Sequence, residues 1–260
     1  MTPYYFGADE EPLFGVYEPP RASVARDAAV LLCSPIGMEY QRTYYAVRLV
    51  ASQLAKSGFH VLRFDYHGIG DSSGQVGAGQ FDRWLDDIEL AARELIEISG
   101  ARELIIVGLR MGAVLAVEAV ANREIKAKGI VLWDPVVSGS EYLSALENLQ
   151  SEMLSLRGAQ VRKSDELMGA RFPQDLRDAI EEKGLAKRTA MPDSETAALV
   201  VSDDNPEFRD LHERMKTRWP HVKYLAIGEP IRWDTISAAY EGRMTGPIVR
   251  AASDVVVSLG

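Results

Sequence analysis

The chain has a single cysteine, Cys33, in 260 residues. That excludes an intrachain disulfide and a metal site built on paired thiolates. Histidine is scarce too: there are four, His60, His67, His212 and His221. No apolar run approaches the roughly 20 residues needed to cross a bilayer. Residues 1–11 hold neither the basic segment nor the apolar core of a signal peptide. The expectation is a cytoplasmic protein with no membrane span. Basic residues are outnumbered, 29 Lys and Arg against 38 Asp and Glu, for a net charge of −9. That balance argues against nucleic acid or an anionic membrane as the main partner. Internal repeats and low-complexity tracts are absent.

What is present is ordinary for a globular chain, 47% hydrophobic and 26% charged, and its length suits one α/β domain with room for an insertion. The organising stretch is Leu104-Ile105-Ile106-Val107 running into Gly108-Leu109-Arg110-Met111-Gly112, followed by Ala113-Val114-Leu115-Ala116. A strand, a tight turn and a helix of small residues follow one another without a linker. This is the plan of the nucleophile elbow, G-x-S-x-G, of α/β-hydrolases. The glycines two positions either side of the centre allow strand and helix to approach closely around a strained residue. The central residue here is Arg110. A guanidinium keeps its proton at any accessible pH, so it cannot be the nucleophile.

In chain order, Leu13–Glu18 alternates as an edge strand, and Ala28–Cys33 is a continuous apolar run, hence a buried strand. A helix is expected from about Glu39 to Lys56, then a strand over Phe59–Phe64. The glycine-rich loop Asp65–Gly74 and a helix over Trp84–Ile98 follow. Beyond the elbow helix, the strand Gly129–Trp133 ends at Asp134. Alternating strands and helices imply right-handed crossovers and a doubly wound, mostly parallel sheet. From Ser138 to about Pro192 the pattern turns helical, charged and irregular, with no convincing strand. Such a length exceeds an ordinary connection and suggests a helical lid, residues 138–192, within a single domain 1–260. The sheet resumes at Ala197–Val201; a helix over Pro206–Arg218, a strand over Val222–Ile227 and a last helix over Thr245–Ser258 complete it.

The pattern resembles α/β-hydrolases of the serine aminopeptidase-like group over essentially the whole chain. Asp65-Tyr66-His67-Gly68-Ile69-Gly70-Asp71-Ser72 looks like that group's D-x-R-G-H-G-x-S loop, with His67 where Arg is usual. A closer similarity is to exosortase A system-associated hydrolases of type 2. It rests on Leu13–Tyr17, Pro35–Tyr40, Gly108–Gly112, Leu132–Val136 and Leu167–Gly169. That subgroup also carries Arg at the elbow, which implies a role for Arg110, but the resemblance brings no established reaction with it.

In this fold the triad runs Ser, then Asp or Glu, then His. Asp203 or Asp204 fits the acid's place after Val201. The base is expected after Ile227, where Gly228–Asp234 contains no histidine. Two of three triad members are missing, so Ser–His–Asp hydrolysis is excluded. What remains at the elbow is a guanidinium beside the N-terminus of a helix, a place that favours anions. Arg110 then either holds an acyl, carboxylate or phosphate-bearing ligand, or pairs internally with Asp134, Asp203 or Asp204. Other site candidates are Asp134 at a strand's C-terminal end and His67 as an acid or base. Ile36 and Gly37 belong to the oxyanion-type loop, where Pro35 has no N–H to give, and Met111 follows the elbow. Glu39 begins a helix near the pocket mouth, and Trp233 and Tyr66 are candidates to line the pocket. Cys33 is a candidate nucleophile near the oxyanion-type loop, although a cysteine ending a buried strand is usually core.

Three functions stay open, one of them a purely structural subunit acting through its lid surface. Another is a degenerate hydrolase that binds a small acyl or anionic ligand, or serves as an accessory to a protein partner in a biosynthetic pathway. The third is an enzyme of altered mechanism (hydrolase or thioesterase, lyase, or acyl transferase) with Arg110 as electrophile and Asp203/Asp204, Asp134 or His67 assisting. None asks for a metal or a cofactor, and the pattern is compatible with a homodimer.

Overall fold

A computed structural model of the chain describes residues 1–158, 165–229, 231, 233, 235 and 246–260. Its strands are β1 (Thr2–Phe6), β2 (Leu13–Glu18), β3 (Ala28–Cys33), β4 (His60–Phe64), β5 (Glu103–Leu109), β6 (Ala127–Trp133), β7 (Glu166–Leu167), β8 (Ala170–Arg171), β9 (Ser194–Val201) and β10 (Lys223–Ala226). The helices are α1 (Gly37–Lys56), α2 (Gln80–Ser99), α3 (Met111–Asn122), α4 (Gly139–Leu156), α5 (Gln174–Lys183), α6 (Pro206–Met215) and α7 (Gly246–Val257). Thr245, the expected start of the last helix, lies outside the described residues.

Eight strands form one sheet in the order β1-β2-β4-β3-β5-β6-β9-β10. Only β1 and β2 run antiparallel to their neighbours; the other pairings are parallel. Alternation along each parallel strand divides the core. Leu31, Leu62, Ile106, Ile130 and Leu199 face α2, α3 and α6. Val30, Val61, Ile105, Val131 and Val200 face α1 and α7. Both faces are covered, which is why these strands read as unbroken apolar runs. Each fully buried Leu or Ile contributes on the order of 1.5–3 kcal/mol.

Local signals set the helix ends. In α4, the Ser138 hydroxyl accepts from the Glu141 N–H at 3.3 Å, the first half of an S-x-x-E capping box. In α6, Asn205 caps the Phe208 N–H at 2.9 Å with Pro206 behind it. Gly100, at φ 67°, closes α2.

Two expectations are corrected. The outer edge strand is β1, with β2 paired inside it; Pro3 and near-continuous exposure hide so short a strand in the sequence. The stretch from Ser138 to Pro192 also contains paired strands, β7 and β8. Met168 and Gly169 join them with φ of 52° and 77°, positive at both central positions as a two-residue hairpin turn requires.

Candidate functional site at the elbow arginine

The elbow is built by close approach. A Cβ on Gly108 would lie 2.4 Å from the Ala113 Cα, and one on Gly112 would lie 2.2 Å from the Cys33 carbonyl oxygen. Strand β5 therefore turns into α3 with no room for side chains at these positions. Between them Arg110 takes φ 55°, ψ −122°, a conformation that costs a non-glycine residue roughly 1–3 kcal/mol. Its N–H donates to the Trp133 carbonyl at 3.0 Å, tying the strained turn to β6.

The turn projects the Arg110 side chain among residues from four separate elements. Its Nε donates to Glu39 Oε1 at 3.0 Å, from the first turn of α1. One Nη1 hydrogen goes to the Asp134 carbonyl at 3.1 Å, at the end of β6. The guanidinium carbon lies 4.7 Å from the Trp233 ring centroid and 5.9 Å from that of Tyr142 on α4. Arg42, one turn after Glu39 on α1, covers Trp233 at 5.6 Å. The ion pair is sheltered: the side chains of Arg110 and Glu39 are 13% and 3% exposed.

The pair is only half used. A guanidinium carries five N–H donors, and Arg110 spends two on the described residues. Around it, Glu39 Oε2, Asp134 Oδ2, the Tyr142 hydroxyl and the Trp233 indole nitrogen are buried without a hydrogen-bond partner among the described residues. Buried polar atoms are rarely left so, and these four lie about one cation.

Asp134 has φ 40°. Its turn sends the carbonyl to Arg110 and the carboxylate to the Ser202 N–H, which donates to Oδ1 at 2.7 Å. Burial raises the Asp134 pKa, against the Ser202 N–H and the Arg110 charge, which lower it. Glu207, on the first turn of α6, also feels Arg110; burial and Glu141 raise its pKa.

The predicted internal partners of Arg110 are thus corrected. Its carboxylate partner is Glu39, and Asp134 offers a carbonyl. Asp203 and Asp204 are exposed. Asp204 accepts from Arg209 at 2.9 and 2.7 Å and from the Tyr224 hydroxyl at 2.6 Å. Asp203 accepts from the Asp204 N–H at 3.0 Å.

His67 belongs to a different cluster. Its N–H donates to Asp87, its carbonyl accepts from Gln80 and Trp84, and Glu11 lies 3.9 Å from Nε2. Burial, helped by Arg83, lowers its pKa. His60 bonds to the Tyr17 hydroxyl, and His212 stacks on Tyr224. Ile36 is buried, Gly37 opens α1 at φ 60°, and Met111 is the first residue of α3, where an N–H has no acceptor within the helix. The Cys33 thiol is buried and its pKa is pushed up to about 12 by burial, with the neighbouring Tyr66 acting the other way, so it stays protonated. Among the described residues no group of three or more His, Cys, Asp or Glu side chains is placed to hold a metal ion. Sequence reasoning missed Tyr142 and Arg42. The one local signal was for Arg42, which lies three residues after Glu39 on the same helix.

The strand order, the elbow and the crossing helices define an α/β-hydrolase fold. Solved structures share it. The chain is similar to an esterase from Pyrococcus furiosus, with a TM-score of 0.66 and 16% identity over 99% of this chain and 89% of that one. It is similar to a soluble variant of monoglyceride lipase from Saccharomyces cerevisiae, with a TM-score of 0.65 and 13% identity over 98% and 93%. An α/β serine hydrolase without lid from Xanthomonas campestris gives 0.58 and 14% over 99% and 90%. No protein of curated function matches the sequence. Residues 25–203 match the serine aminopeptidase family, S33, and the chain belongs to that family. No helix among the described residues is long and apolar enough to cross a membrane.

Proposed function

We propose that this chain is a non-hydrolytic member of its family that binds a small acyl, carboxylate or phosphate-bearing molecule at Arg110. The observation that carries the reading is the half-used guanidinium. Three of its five N–H groups have no partner among the described residues, yet Glu39 already balances its charge. A planar fork of free donors suits a carboxylate or phosphate. Hydrolysis has no support, because Arg110 replaces the nucleophile and residues 228–245 contain no histidine. On this reading the segment from Ser138 to Pro192 is the lid, and Tyr142 is its contact with Arg110.

A second reading rests on one observation: a buried carboxyl, Asp134, with a raised pKa next to a guanidinium. Those groups would serve an enzyme that polarises a carbonyl with Arg110 and moves a proton through Asp134.

The binding reading is tested by thermal unfolding with acetate and with inorganic phosphate, at constant ionic strength. Either anion is expected to raise the Tm of the wild type and to leave Arg110→Ala unmoved. Equal shifts in both proteins, or none in either, would overturn it.

A further inference from the structure

A cavity lies beside the first turn of α1. Its volume is about 450 Å³, within the range of small-molecule sites. On this turn Glu39 is bonded to Arg110 while Gly37, Tyr40 and Gln41 line the cavity, whose lining does not include Arg110. The opposite walls are the glycine-rich loop after β4 and the hairpin of β7 and β8.

The lining is sorted by depth. Ile36, Trp84 and Phe172 line it yet are at most 2% exposed, so its floor is continuous with the core. Gln41, Gln75 and Arg171 line it and are exposed, so its mouth is polar. In a chain with 38 acidic residues, no carboxylate is among the described residues that line it. Arg171 is its one charge, and no described residue forms an ion pair with that side chain. The Tyr40 hydroxyl is already committed to Asp65 at 2.7 Å.

We infer that this cavity binds a monocarboxylate with an apolar, aryl or acyl body. The body lies on Ile36, Trp84 and Phe172, the carboxylate meets Arg171 at the mouth, and Gln41 and Gln75 supply amide hydrogen bonds. Apolar burial gives the affinity and the guanidinium selects the anion. The site is separate from Arg110 and stands whether or not an anion binds there.

Calorimetric titration of 3-phenylpropionate into the full-length Arg110→Ala protein tests this with the elbow site removed. Saturable binding is expected, with the neutral 3-phenylpropionamide weaker by about tenfold, the value of one charge-assisted contact. Adding Ala170→Trp, which places a large ring in the cavity, should abolish binding. Adding Arg171→Gln, at an exposed position, should erase the preference for the acid while the protein stays folded by circular dichroism. Absence of binding to Arg110→Ala, binding that survives Ala170→Trp, or a preference for the acid that survives Arg171→Gln would each overturn the assignment.

Discussion

Two arginine–glutamate pairs sit along α3, and they are built differently. Near the C-terminal end of α3, Glu118 pairs with Arg188 through Oε1 and accepts from the Asn122 side chain through Oε2 at 3.0 Å. Both carboxylate oxygens are used. At the N-terminal end, Arg110 and Glu39 make a single bond, leaving Glu39 Oε2 bare and the guanidinium fork open. The two carboxylates are almost equally buried, with side chains 6% and 3% exposed, so burial does not explain the difference. The first carboxylate is closed and serves to join α3 to the segment after α5, while Arg188 keeps its Nε buried without a partner among the described residues. At the second pair the carboxylate itself keeps an oxygen in reserve, with Asp134 Oδ2 and the Tyr142 hydroxyl unused beside the same cation, and it is that gathering of unused polar atoms that suits a ligand.

The largest effects come from breaking each pair on one side. Glu118→Ala and Glu39→Ala each strand a sheltered guanidinium, and each should cost on the order of 3 kcal/mol in urea unfolding. Acetate should restore part of the lost Tm in Glu39→Ala, where it meets the Arg110 fork; no rescue would show that the fork takes no anion.

A smaller effect comes from pH. Burial raises the Asp134 pKa above its unfolded value, so the folded state holds that proton longer. Its contribution to stability is then largest below the unfolded carboxylate range and is lost as pH rises through the raised value. Asp134→Asn should flatten that slope. The same protonation removes a negative charge beside Arg110, so the Tm shift produced by sulfate, which stays an anion over this range, should grow as pH falls in the wild type and stay level in Asp134→Asn. An identical pH profile in both would show that Asp134 does not sense the site.

The smallest effect isolates the strain. In a Glu39→Leu background, Arg110→Gly should be more stable than Arg110→Ala by about 1 kcal/mol, because glycine adopts φ 55° freely. Equal stability would mean the turn relaxes once the arginine is gone.

The sheet was legible in the sequence because its strands are buried on both faces. Ala28–Cys33 matches the expected bounds to the residue. The elbow was legible because Gly108 and Gly112 answer to contacts within a few residues or at the adjoining strand end. β1 was not legible: five residues with Pro3, mostly exposed, carry no burial pattern. The surroundings of Arg110 were only half legible. Glu39 could be named as a candidate from its place on α1, but not as the partner of a residue 71 positions away. Asp203 and Asp204 were chosen by chain order, while the structure engages Asp204 with Arg209, five residues on. Local spacing reveals turns and strands; a site assembled from α1, α4, the end of β6 and Trp233 depends on how distant parts of the chain pack.

Turnover of an ester, thioester and amide panel by wild type and Arg110→Ala at equal purity tests whether the elbow binds without hydrolysing. Rates indistinguishable from buffer are expected for both proteins. Saturable wild-type turnover that disappears in Arg110→Ala would contradict this reading and make Arg110 a catalytic residue.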